Sequence, residues 1–572
     1  MKYNKIIAAI TLSLTLGACD FLETTPQDFI SPEHFFKTEQ EAFMSLTSVY
    51  NRVIFNTYSN TYSVLISGTD DLGYYDRNVL PIGVFNNNYS TSDSSVLSFW
   101  KSLYDGINNA NFLLEQIKNV PEMEERIRTM YIGEAKFLRA YAYFLLAQCW
   151  GDVPYKTDSQ QSSENVNIAN TSQQTVLENV VKEMEEAEGM VGEIDEIPAG
   201  RVNKSAVRGI LARVYLKLAG WPSNGGKPMY EKANFWAKEV NKDNKHQLNP
   251  DYSEIFINMA ADVVDTQYRE SIWEAEFKGN RQDAHHGAGR IGNTIGIYNG
   301  DATLTSVGYC YGFISCTLNL WDFYNDLDGD GQVDEGFEEG SEKEKKHPDS
   351  RRDWNIAPFS YAKNSQGETW HKPMGYKGDF TLDKDGNKVP DDKGGYKTVA
   401  ATSYVERNAG KYRREYEKVA PKDKNNTPIN YPILRYADVL LMIAESENEI
   451  NRKPTIAACN AINELRKKRI EGVAEVGEND MDYETFKQFV KDERARELCF
   501  EGLRKYDLIR WGDDFLVEMK RVARNTETAR WAKAKKFAAT YANNASERFK
   551  WLPIPNKELG LNNLLKQNPA WK

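Results

Sequence analysis

The stretch GEAKFLRAYAYFLLAQCWGDVPY, Gly133–Tyr155, decides the fold. Between Phe137 and Trp150 its only charge belongs to Arg139. At helical spacing Ala135, Leu138, Ala142, Leu145 and Cys149 share one stripe, and Phe137, Tyr141, Phe144 and Gln148 share a neighbouring one. Two faces must therefore be covered by other elements, which places this helix inside a layered array. Ala135, Ala140, Ala142 and Ala147 alternate with large residues, so partner helices can approach while rings fill the gaps. Gly151 stops the helix and Asp152-Val153-Pro154 forbids its continuation.

Outward from this helix the same patterning recurs. Glu39–Phe55, Phe99–Ile117 and Glu125–Trp150 read as helices, followed by Gln173–Glu188, Ser205–Ala219 and Tyr230–Val240. Much later Ile433–Ile450, Thr455–Arg469 and Phe486–Asp507 resume the pattern. These units are of tetratricopeptide type without a strict 34-residue repeat, and they predict one stack of helix pairs built from two separated parts of the chain. Between the parts, 251–430 is rich in Gly, Asp, Lys and aromatics; only Ser271–Phe277 alternates like a strand there. Asn56–Ser98 is a long polar and aromatic loop, of a length that is seldom idle. The expected class is mainly α: a helix-pair scaffold with an irregular, loop-rich second half and few short strands.

With 572 residues, 41% of them hydrophobic and 27% charged, the chain is globular and can bury a large core. A formal net charge of -11 argues against a nucleic-acid partner. At the N-terminus Lys2 and Lys5 precede the apolar run Ile6–Leu16, which is too short to cross a bilayer and reads as a secretory signal. Leu16-Gly17-Ala18-Cys19 resembles a bacterial lipobox, which implies cleavage before Cys19 and acylation of that cysteine; simple secretion is the alternative. The expected organisation is a signal peptide at 1–18, a lipid-anchored tether at 19–38, a helical part at 39–250, an irregular ligand-facing part at 251–430 and a second helical part at 431–572. Five cysteines remain, an odd number that excludes a complete disulfide framework; Cys310 and Cys316 are either bridged or free.

Several motifs carry candidate chemistry. Asp326, Asp328, Asp330, Gln332 and Asp334 sit at EF-hand positions one, three, five, seven and nine, with Gly331 at six. Phe337 holds position twelve, where a bidentate Glu is needed, so the loop is either a structural calcium site or a solvated acidic turn. Gly287–Gly292 fits GxGxxG without the strand and helix that nucleotide binding requires, and His285-His286 lacks a third metal ligand. There is no GxSxG elbow, Walker loop or HExxH helix, so a binding protein is expected rather than an enzyme, and no cofactor beyond that calcium. In Glu493–Gly512 the spacings Glu493/Arg496 and Glu501/Lys505 predict helical ion pairs tying the two halves together.

FLETTPQD, FWKSLYDGINNANFLLEQI, KFLRAYAYFLLAQCWGDVPY, RVNKSAVRGILARVYLKLAG, PILRYADVLLMIAESENEI, FVKDERARELCFEGLRKYDLIRWG and LPIPNKELGLNNLLKQNPAW together resemble the SusD/RagB family of surface lipoproteins of Bacteroidetes. The resemblance implies a lipid-anchored protein on the outer membrane that captures oligosaccharides and passes them to a SusC-like TonB-dependent transporter. RagB-like relatives imply peptide uptake as the alternative, and a surface glycoside hydrolase is a further one. Two departures stand out, the Asp-rich run from Asp326 and Arg351-Arg352-Asp353-Trp354 where relatives tend to show RDPR; both lie near loops that could shape the ligand surface. A sugar's C–H face stacks on aromatic rings while its hydroxyls seek Asp, Asn and Arg. Two loops offer that mixture: Tyr74, Tyr75, Asp76, Arg77, Phe85, Asn87 and Tyr89 in one, and Tyr298, Tyr309, Tyr311 and Trp321 in the other.

Overall fold

Layered helices surround the apolar stretch as its pattern requires. The computed structural model describes residues 36–59, 62, 69–76, 84–159, 166–282, 287–402, 407–527 and 536–572. The signal peptide, Cys19, Arg77 and His285-His286 lie outside the described residues. Helices α1 (Glu39–Tyr50), α2 (Ser94–Gln116), α3 (Glu125–Trp150), α4 (Gln173–Glu188), α5 (Lys204–Ala219) and α6 (Gly226–Val240) each pack on the next. From Gly133 to Trp150 in α3 only Lys136 escapes burial. The one charge in its apolar stretch, Arg139, is neutralised inside by Glu183 (Nε–Oε1 3.0 Å) and donates to Asn111 (2.6 Å). Gly151 ends α3 at φ 81°, a left-handed value that a side chain would strain.

The stack then jumps along the chain. After α7 (Tyr252–Ala261) and α8 (Leu318–Asn325) in the middle segment come α9 (Tyr436–Asn451), α10 (Ile456–Arg469) and α11 (Tyr483–Leu498). Helix α9 packs on α6 as well as on α10 and α11, so the scaffold is continuous across the irregular insertion. Two short helices, α12 (Arg504–Arg510) and α13 (Asp514–Thr526), follow. The ends of α5 and α12 meet closely: Trp221 N–H donates to the Arg510 carbonyl at 2.8 Å, and a Cβ on Gly220 would lie 2.2 Å from that oxygen.

Four two-stranded antiparallel ladders complete the described residues. Strand β1 (Gly73–Tyr75) pairs with β3 (Ile314–Cys316), and β2 (Ser271–Ala275) pairs with β6 (Tyr431–Arg435). Strands β4 (Phe359–Lys363) and β5 (Thr369–Pro373) form a hairpin. The β2–β6 ladder clasps both ends of the middle segment, and Trp273 from β2 packs edge-on against Phe137 and Tyr141 of α3 at 5.4 and 5.2 Å.

Where the structure departs from the sequence pattern, backbone chemistry explains it. Helix α2 starts five residues before Phe99 because Asp93 caps it, accepting from Ser95 and Val96 N–H. The opening of Ile433–Ile450 is strand β6, since Pro432 and the partner strand β2 outweigh helical propensity there. Phe486–Asp507 is not one helix: Phe500 and Gly502 at φ 63° and 74° break it after Leu498. That break separates Glu501 from Lys505. Glu501 instead accepts from Lys411 at 2.7 Å and from Arg435 at 2.7 Å. Cys310 and Cys316 are buried free thiols, the former donating to the Gly292 carbonyl at 3.2 Å.

The ion pairs foreseen between the halves form a larger buried network. Glu493 of α11 accepts from Arg351 (2.5 Å), Arg466 (2.9 Å) and Arg496 (3.0 Å). Glu497, one turn on, meets Arg351 (3.1 Å), Arg435 (2.8 Å) and Arg469 (3.2 Å). Glu270, beside β2, bridges Arg435 and Arg469 at 2.9 and 2.6 Å. Arg351 and Arg352, one of the two departures from the family pattern, are fully buried and shape this interior rather than a ligand surface.

Burial works against ionisation of these carboxyls; it wins at Glu270, whose value rises, while the guanidinium groups win at Glu493 and Glu497. Arg494 and Arg213 hold Asp438 at about 2, Arg510 holds Glu445 at about 2, and Arg351, Arg496 and Arg466 hold Glu493 far below the usual range. Carboxyls depressed by folding stabilise the protein above their unfolded values near 4, and that contribution is lost as pH falls through the folded values. Asp70 and Asp492, which burial raises to about 8 and about 6, oppose this only until the unfolded chain is itself protonated near pH 4. The melting temperature is thus expected to fall steeply between about pH 4.5 and 2, with about 2–3 kcal/mol lost per fully depressed carboxyl. A flat acid limb in a calorimetric pH series would contradict this electrostatic account.

Candidate functional site

Segment 309–313 alternates: Tyr309, Tyr311 and Phe313 are half-buried while Cys310 and Gly312 are buried. Its backbone is held from behind. Tyr311 and Phe313 N–H groups donate to the Asn293 and Thr294 carbonyls at 2.9 and 2.8 Å, and the Tyr309 carbonyl accepts from Asn293 Nδ2 (3.3 Å) and from Arg414. Arg414 is itself locked by Glu417 (2.7 Å). Gly292 belongs to this support: a Cβ there would meet Ile429 at 2.4 Å, so the GxGxxG glycine serves close packing.

The segment runs into β3, and the β1–β3 register sets Tyr75 opposite Ile314. One continuous aromatic row results. Phe85 stacks on Tyr75 (4.2 Å between centroids, 14° between planes), and Tyr75 meets Phe313 at 5.1 Å and 37°. Phe313 stacks on Tyr311 (5.1 Å, 12°), and Tyr311 meets Tyr309 edge-on (5.0 Å, 77°). Every ring in the row is half-buried.

Polar groups border the row. Asp76 accepts from Ser315 Oγ (3.1 Å), Lys424 Nζ lies 4.8 Å from the Tyr309 ring, and Tyr311 Oη donates to Asn425 at 3.5 Å. Asn408 accepts from the Tyr298 N–H (3.0 Å) and donates to the Gly312 carbonyl (3.3 Å), tying Tyr298, 44% exposed, to the same segment. Beneath, Lys422 is pushed down to about 8 by burial and donates to the Ser306 carbonyl at 2.5 Å, fixing the loop before Tyr309. The arrangement offers a half-buried aromatic surface beside hydrogen-bonding groups of both signs, which suits a ligand with apolar C–H surfaces and many hydroxyls.

Comparison with known proteins agrees with this architecture. The profile of the SusD family matches residues 269–571, more than half of the chain. The chain belongs to the SusD family. A second profile, described as starch-binding associating with outer membrane, matches residues 20–216. SusD-like protein P25 of Formosa agariphila is 25% identical over all of this chain and 99% of its own. A SusD homolog from Bacteroides thetaiotaomicron superposes with a TM-score of 0.77 at 23% identity, covering 95% of this chain and 99% of the other. Surface glycan-binding protein A from the same species, solved in complex with laminarihexaose, gives a TM-score of 0.65 at 19% identity over 93% of this chain and 99% of its own. The SusD-family fold is therefore shared through a mainly helical, helical-repeat scaffold.

Within this SusD-family chain the structure separates the residues singled out from sequence. Tyr75, Phe85, Tyr309 and Tyr311 enter the row, with Asp76 and Tyr298 beside it. Four others are core. Tyr74 is fully buried because strand alternation turns it away from Tyr75, and Asn87 donates to the Tyr541 carbonyl at 3.0 Å. Tyr89 packs on Phe549 and Trp571 at 5.0 and 5.4 Å. Trp321 lies on buried α8 between the guanidinium groups of Arg352 and Arg407, 4.9 and 5.1 Å from its ring. Sequence reasoning missed Phe313, Asn408, Lys424 and Asn425. The alternation of 309–313 could have revealed Phe313; the others approach only through tertiary folding.

In the acidic loop, carboxylate oxygens of Asp326, Asp328 and Asp334 lie within 4.8 Å of one another. Asp326 accepts from Gly329 and Gly331 N–H (2.7 and 2.9 Å) and Asp334 from Leu327 N–H (2.9 Å). Asp330 and Gln332 are exposed and outside the cluster, Asp330 accepting instead from the Gln332 N–H at 2.7 Å. Phe337 packs with Leu327 and Ile470, which explains why position twelve carries no carboxylate. Burial raises Asp326 and Asp334, with Asp334 adding to the rise at Asp326 and Asp328 to that at Asp334.

Proposed function

We propose that this protein is a non-catalytic, surface-exposed lipoprotein that captures oligosaccharides on the aromatic row and passes them to a SusC-like TonB-dependent transporter. The row from Phe85 to Tyr309 is the observation that carries the reading, because a half-buried run of aromatic rings bordered by hydrogen-bonding groups suits the C–H surfaces and hydroxyls of a sugar chain. Family membership and the outer-membrane association in the second profile's description support the location. The signal-like run and Cys19 support a lipid anchor at the outer membrane.

We also propose that the loop from Asp326 to Asp334 holds a structural calcium ion through Asp326, Asp328 and Asp334. The repulsion among three converging carboxylates is what a divalent cation would relieve.

Isothermal titration of the folded protein against dietary and host oligosaccharides is expected to find a binder, with Tyr311→Ala weakening it about tenfold at unchanged melting temperature. Binding of peptides but no glycan would favour the alternative inherited from RagB-like relatives, and new reducing ends after incubation would mark a hydrolase. After EGTA treatment, one calcium per chain is expected to rebind at millimolar concentration in wild type and not in Asp328→Ala. No rebinding in wild type contradicts the calcium site.

A further inference from the structure

A cleft of about 470 Å³ lies away from the aromatic row, where the C-terminal end of α3, the residues after α5 and the chain from Trp551 to Lys572 meet. This is within the range of roughly 300–1,000 Å³ common for small-molecule sites. Trp221 and Trp551 contribute two half-buried indoles, 5.5 Å apart and inclined by 34°. Buried lysines back them: Lys550 Nζ is 4.7 Å from the Trp221 ring and Lys217 Nζ is 5.9 Å from that of Trp551.

The walls are polar and rigid. Gln173 donates to the Ala147 carbonyl (2.7 Å), Asn568 to that of Trp150 (3.0 Å), and Asn170 to those of Asp152 (2.9 Å) and Lys566 (3.1 Å). Each amide is thereby committed to the backbone, so the cleft keeps its shape without a ligand. Asp152 accepts from the Gln173 N–H through one carboxylate oxygen (2.8 Å) and lines the cleft together with Lys566 and Lys572.

We propose that this cleft is a second saccharide-binding site, taking a pyranose ring against the two indoles with its hydroxyls directed to Asp152 and the rim ammonium groups. Two indoles bordered by acceptor and donor groups fit a ring with one C–H face and an equatorial belt of hydroxyls. The proposal rests on the reading that the protein binds glycans, but it concerns different residues from the row. The loop carrying Phe85 continues to Tyr89, which packs on Trp571, and Trp571 donates to the Trp551 carbonyl at 3.1 Å. The two sites therefore share one support.

The row contains Tyr and Phe only, so tryptophan fluorescence distinguishes the sites. The full chain is titrated with maltohexaose, cellohexaose and laminarihexaose as wild type, Tyr311→Ala, Trp221→Leu and Lys566→Ala, with calorimetry and melting temperatures alongside. The expected result is a saturable fluorescence change that survives in Tyr311→Ala, is lost in Trp221→Leu and shifts its midpoint by about threefold in Lys566→Ala. Calorimetric binding with no tryptophan response in wild type, or a full response in folded Trp221→Leu, overturns the second site and leaves the row untouched. Survival of the response in Tyr311→Ala supports the cleft even if Trp221→Leu fails to fold. No binding of any oligosaccharide by either method overturns both readings.

Discussion

The buried charge network centred on Glu497 is the constraint on which the rest of the structure depends. A segment as poor in periodic apolar faces as 251–430 cannot be fixed by ridge-into-groove packing. Its scattered apolar side chains join the common core, and its register is fixed by charge. Glu270, Asp349, Arg351 and Lys411 come from that segment, and Arg435, Arg466, Arg469, Glu493, Glu497 and Glu501 from the C-terminal helical part. Such a network contributes little net stability against an apolar core of equal volume, but an unpaired member is costly. Its effect is to allow one arrangement of the two parts and penalise the others.

That arrangement places the aromatic row. Tyr412 donates to the Phe500 carbonyl at 3.1 Å just beyond the network, and Arg414, two residues on, holds the Tyr309 backbone. From there the alternation of 309–313 and the β1–β3 ladder bring Tyr75 and Phe85 into line. The row is assembled from loops whose rings meet only because helices elsewhere are in register. Scaffold and recognition are thus divided: α3 contributes no ring to the row, yet the β2–β6 ladder that clasps the middle segment leans on it through Trp273.

The helices were legible because burial on two faces writes a 3.6-residue period into local sequence; the boundaries of α3 and α4 follow from Gly151 and from the cap at Ser172. What local pattern could not show was pairing over distance. Ser315 and Asp76 are 239 residues apart, and the ladder between them decides that Tyr75 faces the row and Tyr74 the core. Trp321 shares the aromatic composition of the loop with Tyr298, Tyr309 and Tyr311, whereas it lies on a short helix, buried beside Arg352 and Arg407. Glu501 and Lys505 share a helical spacing, but the left-handed residues Phe500 and Gly502 break the helix around Glu501 and separate the two. Residues such as Asn408 and Lys424 carry no local signal, since their role exists only in three dimensions.

Chemical unfolding of Glu497→Ala tests the central claim most directly. The account predicts a loss of about 3–5 kcal/mol, because Arg351, Arg435 and Arg469 are left buried around an absent carboxylate. It also predicts that oligosaccharide affinity at the row falls with it under conditions where the variant remains folded. A loss below about 1 kcal/mol with unchanged affinity would contradict it, and would place the registration of the two parts in apolar packing instead.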